Sequence, residues 1–153
     1  MRVGIISDTH GLLRPEAVQG LQGVRLIVHA GDVGHPEILT KLKSIAPVFA
    51  VRGNVDTQTW AQELPETTVV EANGTSLYVL HNLQDLDLKP EASGFQAVIS
   101  GHTHEPKQYV RSGVLYLNPG SAGPKRFHLP VTLAILELAQ KPLRAEILPL
   151  LLS

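Results

Sequence analysis

The order of elements predicts an α/β fold in which two β-sheets pack face to face. Three observations carry this reading. Up to Asp56, three short apolar runs alternate with helical patterns, and each run ends in a glycine turn bearing polar side chains. Beyond that point the chain reads as strands and hairpins, enough for a second sheet on the first. With 153 residues there is material for one core and too little for two comfortable domains, so residues 1–153 are expected to form one domain.

The run from Arg2 to Ser7 reads as a strand buried on both faces, and it delivers Asp8 and His10 at its tip. Pro15 suits the first turn of a helix with Ala17, Val18 and Leu21 on its apolar side, ending by Gly23. Leu26 to Ala30 is a second buried strand, ending in Gly31-Asp32. Pro36 opens a helix in which Ile38, Leu39, Leu42 and Ile45 recur at helical spacing. Pro47 to Val51 is a third strand, ending in Arg52-Gly53-Asn54-Val55-Asp56. Crossovers of this kind join parallel strands, so the polar tips fall along one sheet edge, where ligand sites of open α/β sheets lie.

Asn73-Gly74 between Thr67–Glu71 and Ser76–Leu80 is a strong hairpin signal, and its second arm runs into His81-Asn82. Gln84 to Gly94 is expected to hold a short helix. Ala97 to Ser100 forms a central strand ending in Gly101-His102-Thr103-His104. Gln108–Arg111 and Val114–Leu117 make a hairpin turning at Ser112-Gly113, which leads into the tight loop Asn118-Pro119-Gly120-Ser121. Strands near 132–138 and 144–150 close the chain.

Composition narrows the function. The chain is 43% hydrophobic and 18% charged with a net charge of −1, which describes an ordinary globular protein without a dedicated nucleic-acid surface. No apolar run approaches the ~20 residues that span a bilayer, and Asp8 comes too early for a signal-peptide core, so a cytoplasmic protein without membrane attachment is expected. There is no cysteine, which removes thiolate nucleophiles and Cys-ligated zinc. Any metal must be held by His, Asp, Asn or Glu, ligands suited to Mn, Fe, Ni, Zn or Mg.

Taken singly, the strand-end residues Asp8, His10, Asp32, Asn54, His81, His102 and His104 have ordinary readings as turn formers or surface rings. Together they supply O and N ligands for two divalent ions sharing one carboxylate. Such a site activates water for in-line displacement at phosphorus.

Asp8-x-His10, Gly31-Asp32, Gly53-Asn54-x-Asp56, His81 and Gly101-His102-x-His104, in this order, resemble the motif set of the calcineurin-like metallophosphoesterases, above all their small single-domain branch. The resemblance runs from Val3 to about Arg126. It implies a four-layer αββα sandwich, two mixed β-sheets with helices outside, and a phosphodiesterase whose metal-bridging hydroxide attacks a small phosphate ester. By position, Asp8, His10 and His104 would hold one ion, Asn54, His81 and His102 the other, and Asp32 both. Asp32, Asn54 and His102 would also serve catalysis directly, while Asp56 would stand behind the ligands and orient one of them. Manganese is the first expectation for the two ions, followed by Ni, Fe and Zn. A phosphomonoesterase, or a binding scaffold that keeps the fold without turnover, stays open, as does a homo-oligomer.

Two positions depart from the family pattern. Val55 stands where larger relatives carry a His that helps the leaving oxygen depart, so general-acid help from that position is absent. Asn82 stands where a glycine is usual; Asn tolerates a left-handed backbone better than most residues, so the turn can survive there, with an amide that either crowds the pocket or donates to a phosphate oxygen. Arg52, Asn82, Lys125 and Arg126 are candidates for contact with substrate phosphate, with a solvated surface charge as the plain alternative for the cations. His29 is expected to be a buried, hydrogen-bonded ring, His35 to precede a helix, and His128 to lie in a surface loop.

Overall fold

The computed structural model describes residues 1–152. In chain order its elements begin β1 (Arg2–Ile6), α1 (Pro15–Gly20), β2 (Leu26–His29), α2 (Pro36–Lys43) and β3 (Val48–Ala50). The hairpin β4 (Thr67–Ala72) and β5 (Thr75–Leu80) follows, then β6 (Ala97–Ile99), β7 (Lys107–Arg111) and β8 (Val114–Asn118). The last strands are β9 (Thr132–Glu137) and β10 (Ala145–Pro149). Two five-stranded mixed sheets result, in the orders β10-β9-β1-β2-β3 and β4-β5-β6-β8-β7.

The three N-terminal strands are parallel, with Val3 opposite Leu26 and Ile27 opposite Val48. In the other sheet β6 is central and runs parallel to both β5 and β8. Both expected hairpin turns form with left-handed residues at their centres, φ being 51° and 73° at Asn73 and Gly74, and 51° and 76° at Ser112 and Gly113.

Residues alternate between the faces of each strand, and this sorts the apolar side chains into three layers. Val3, Ile5 and Val28 meet Leu77, Ile99 and Leu117 between the sheets. Each such side chain, fully buried, stabilises the fold by roughly 1.5–3 kcal/mol. Ile6, Ile27 and Leu133 face outward under α1 and α2, which contribute Ala17, Ile38 and Leu42, with Leu21 joining them just past the end of α1. His35 precedes α2 as expected, its Nδ1 accepting the Glu37 N–H at 3.1 Å.

The fourth layer is thin. Tyr78, Leu80, Val98 and Tyr116 on the outer face of the second sheet are covered by Leu83, Leu86, Leu88 and Phe95. The covering segment holds a single 3-10 turn, Leu83–Asp85, and then runs irregularly to β6. The helix expected between Gln84 and Gly94 is therefore absent. Asp85, Asp87, Pro90 and Gly94 interrupt the stretch too often for helical spacing to build up. A 3-10 helix at Thr59–Glu63, unread in the sequence, carries the chain from the first sheet to the second. Among the described residues no helix is long and apolar enough to cross a membrane.

Candidate metal centre

The loops after β1, β2, β5 and β6 are tied together by their own backbones. The Asp8 N–H donates to the Gly31 carbonyl at 3.0 Å, the His10 N–H to the Asp32 carbonyl at 2.9 Å, and the Gly101 N–H to the His81 carbonyl at 2.9 Å. Within these loops Asp8 and Asp32 have φ of 56°, His10 46°, His102 74° and His104 65°. Five of the seven candidate ligands thus occupy the left-handed region, where Asp, Asn and His are enriched among non-glycine residues. Each such residue costs of order 1–3 kcal/mol and persists where its surroundings over-determine it.

The glycines beside them allow the approach. A Cβ on Gly101 would collide with Ser7 Oγ and lie 2.7 Å from Asp8 Oδ2, and one on Gly53 would collide with the backbone and carboxylate of Asp32.

Two groups of donor atoms converge there. Asp8, His10 and His104 form one; Asp32, His81 and His102 form the other. In the first, the Nε2 atoms of His10 and His104 lie 3.3 Å apart, and Asp8 Oδ1 is 3.5 Å from His104 Nε2. In the second, His81 Nε2 is 3.2 Å from Asp32 Oδ2, an ion-pair distance without the alignment of a hydrogen bond. Asn54 joins this group from the β3 loop, its Oδ1 lying 3.2 Å from His102 Nδ1. Asp32 lies between the groups, since its Oδ2 is also 3.6 Å from His10 Nε2.

Positive charge among these groups stabilises the arrangement, as a proton on His81 or as a bound cation. The His81 Nδ1–H donates to the Ala30 carbonyl at 2.8 Å, so the neutral ring aims a lone pair from Nε2 at the Asp32 carboxylate. Asp8 Oδ1 and His81 Nε2, both at the centre, are buried without a hydrogen-bond partner, although buried polar atoms are nearly always satisfied. Oxygen and imidazole ligands of this kind suit divalent metal ions.

The protonation equilibria bear the same mark. Burial raises the Asp8 pKa, against the Ser7 hydrogen bond. Burial works to lower His81, but Asp32 and the Ala30 carbonyl outweigh it and the ring shifts upward; Asp32 shifts downward despite its own burial because His81 and the Val55 N–H favour its anion. Burial, followed by the charge of Arg126, depresses His104 to about 4, which keeps that ring neutral and able to ligate.

Behind the donors stands a layer of hydrogen bonds. Asp56, expected to orient a ligand, touches no ligand side chain. Its carboxylate accepts the Val33, Gly34 and Gly53 N–H groups at 3.1, 3.0 and 2.9 Å, clamping the Asp32 loop to the Asn54 loop. Ser7 Oγ donates to Asp8 Oδ2 at 2.8 Å, and Ser121 Oγ donates to the Asp8 carbonyl at 3.0 Å.

Asn118 Nδ2 donates to the Gly101 carbonyl at 2.9 Å and to Thr103 Oγ1 at 3.1 Å, so the loop at 118–121 braces the His102–His104 turn. The positioning part of Ser7 has no signal in the sequence beyond its place beside Asp8, and those of Asn118 and Ser121 are signalled only by the tight loop 118–121 that carries them. His29 is the buried ring expected, with Nδ1 accepting the Gly31 N–H and Nε2 donating to Thr9 Oγ1, which donates in turn to the Val33 carbonyl.

The remaining candidates lie around this centre. Arg52 borders a cavity of about 940 Å³ next to Asn54, His81 and His102, and it pairs there with Glu66 at 3.1 Å. Asn82 lines the same cavity, and with φ of −112° it is extended, so its tolerance of a left-handed backbone is not called on. Its Oδ1 instead accepts the Gln84 N–H and starts the 3-10 turn. Arg126 lies on the His104 side, close enough to depress that ring, in an exposed loop with Lys125 and His128. Val55 is 45% exposed, and its backbone N–H holds Asp32 Oδ1 at 3.0 Å.

Acids, imidazoles and an amide brought to the strand ends of a two-sheet sandwich define a metal-dependent phosphoesterase class of protein. The chain belongs to the calcineurin-like phosphoesterase superfamily, whose domain model matches residues 1–141. It is 36% identical to a probable metallophosphoesterase of Methanothermobacter thermautotrophicus over 97% of this chain and 92% of that one. A solved archaeal phosphodiesterase is 25% identical, with a TM-score of 0.81 over 97% of this chain and 100% of that one. Vps29 of Entamoeba histolytica, solved in complex with zinc, shares the fold at 21% identity and a TM-score of 0.76, over 99% of this chain and 100% of that one.

Proposed function

We propose that the chain is a cytoplasmic, binuclear metal-dependent phosphodiesterase. Asp8, His10 and His104 would hold one divalent ion, Asn54, His81 and His102 the other, and Asp32 would serve both. The observation carrying this is the position of Asp32 Oδ2, 3.2 Å from His81 Nε2 and 3.6 Å from His10 Nε2, so that one oxygen faces both donor groups. Two bound ions of this type activate water and neutralise phosphoryl oxygens; manganese is the first candidate, then Ni, Fe and Zn.

The chain's own residues set the geometry. The Val55 N–H fixes Asp32 Oδ1 and leaves Oδ2 directed between the groups. The Ala30 carbonyl fixes the His81 tautomer, and Asn54 and His102 border the open side, where a phosphate enters. Arg126 beside His104 adds positive charge for the phosphoryl oxygens, and Arg52 does so at the other rim to the extent that Glu66 releases it. Val55 has no proton to give, so solvent protonates the departing oxygen.

A diester is favoured over a monoester because cavities open on both sides of His102, of about 940 and 480 Å³, one for each substituent. The test is elemental analysis after metal loading, together with turnover of matched monoesters and diesters. About two ions per chain and preferred cleavage of diesters are expected. One ion per chain at full activity, or turnover confined to monoesters, would contradict the proposal.

A further inference from the structure

We infer that the cavity of about 480 Å³ flanking His102 is a subsite for a planar aromatic group on the substrate's phosphate, an aryl ring or a nucleobase. This rests on the phosphodiesterase reading above and names the class of diester the site prefers.

The cavity exists because the fourth layer is thin. A sheet buried on one face needs a cover on the other wherever that face is apolar. Here the irregular segment after β5 covers Tyr78, Leu80 and Val98, but near β7 the outer face is left open. Tyr109 on β7 and Tyr116 on β8 are register partners, and their rings stack with centroids 5.2 Å apart and planes within 1°.

Tyr116 is nearly buried while Tyr109 is 38% exposed, so the aromatic wall is the Tyr109 ring, backed by Tyr116. Leu83 and Gln84 line the cavity from the covering segment, and Lys107 borders it with Nζ 5.6 Å from the Tyr109 ring centroid.

Continuity with the metal centre identifies the occupant. His102 and Asn82 line both this cavity and the larger one, so a group esterified to a phosphate at His102 reaches the tyrosines without leaving the surface. The volume lies within the range of small-ligand pockets. Flat rings gain from offset or edge contact with tyrosine, and a base gains also from the polar rim that Gln84 and Lys107 supply. A short alkyl group gains neither.

The test uses diesters that share one leaving group and differ in the retained arm: the para-nitrophenyl esters of methyl phosphate, phenyl phosphate and thymidylate, on metal-loaded protein. The expected result is a kcat/KM at least about tenfold higher for the phenyl or thymidylyl ester than for the methyl ester. A larger gain for thymidylate marks a nucleobase, and a larger gain for phenyl marks a simple aryl group.

In Tyr109→Val, which keeps a strand-forming residue on the edge strand, the ratio of aromatic to methyl ester should fall towards one. Calorimetric binding of phenylphosphonate and methylphosphonate reads the same preference without turnover, and Tyr109→Thr, a second strand-forming replacement without a ring, should abolish it. Equal rates and equal binding for the aromatic and methyl compounds, or a preference unchanged in both variants, would overturn the subsite. Absence of binding and turnover for every compound would sink the phosphodiesterase reading and this inference with it.

Discussion

Replacing Asp56 by Asn separates the strength of the scaffold from the affinity of the metal site. Asp56 is 3% exposed and accepts three backbone N–H bonds, two on Oδ2 from Val33 and Gly53 and one on Oδ1 from Gly34. An amide placed there accepts on one side only. With its oxygen kept towards Val33 and Gly53, its NH2 confronts the Gly34 N–H, donor against donor. A hydrogen bond to a charged group is worth about 1.5–3 kcal/mol, and the Gly34 N–H, at an exposed residue, regains from water part of the roughly 1–3 kcal/mol that a stranded buried donor costs. Relaxation of the loop removes part of this sum, which leaves an expected loss of about 2–4 kcal/mol. For a chain of this size that is a fall in Tm of roughly 5–15 °C.

The assay is urea or thermal unfolding of metal-stripped protein, because ions bound to the native state add their own stabilisation and would mask the change. Metal affinity should weaken about 10–100-fold, since Asp56 acts on ligand backbones and not on the ions. A metal-free variant within about 0.5 kcal/mol of wild type would refute the clamp.

Asp32→Asn should behave inversely: metal-free stability falls less than in Asp56→Asn, because an amide oxygen still accepts the Val55 N–H and the attraction to His81 that is lost is offset in part by relief of Asp8, while two-ion loading and activity fall much further than in Asp56→Asn; equal activity losses at equal metal content would contradict this. Gly101→Ala forces a Cβ onto Ser7 and Asp8 and should lower metal content more than stability, read by elemental analysis beside unfolding.

His29, whose pKa burial depresses from 6.5 to about 4, binds fewer protons folded than unfolded across that window, so its stabilisation is complete above 6.5 and is lost as pH falls towards 4. The stability gap between metal-free wild type and His29→Leu should therefore narrow by about 2 kcal/mol between neutral pH and about pH 5, and a gap independent of pH would contradict a neutral buried ring. Because Val55 donates no proton, diester cleavage should depend steeply on leaving-group pKa, and Val55→His should selectively speed the poor leaving groups; a flat dependence in wild type would point to another proton donor.

What could be read from the sequence follows from which forces are local. The three buried parallel strands were legible because continuous apolar runs such as Leu26 to Ala30 bounded by glycine turns have few other uses, and the hairpins because Asn73-Gly74 and Ser112-Gly113 adopt the positive φ their turns need. The covering segment after β5 was misread as a helix because a polar stretch of that length carries no period. Its apolar residues Leu83, Leu86, Leu88 and Phe95 find their places on a sheet face formed by strands distant in sequence.

The candidate ligands were legible as residue types at strand ends, and the structure brings Asp8, His10 and His104 together, and Asp32 with His81 and His102. Their aim was not legible. Whether a His after a strand points into a centre or into solvent depends on its own φ, and at His10, His102 and His104 that angle is positive.

Nothing local selects such an angle strongly. It is imposed by contacts between loops: the His102 N–H on Asp8 Oδ2 at 3.1 Å, Asn118 on the Gly101 carbonyl, and the Asp56 carboxylate across the β2 and β3 loops. Each of these joins segments from different strands, so the residues that shape the metal centre look in sequence like ordinary turn polars. The strain held by the ligands and the hydrogen bonds held behind them are two sides of one device. Weakening the bonds at Asp56, Ser7 or Asn118 should therefore relax the ligand backbones and cost metal affinity without removing a single donor atom.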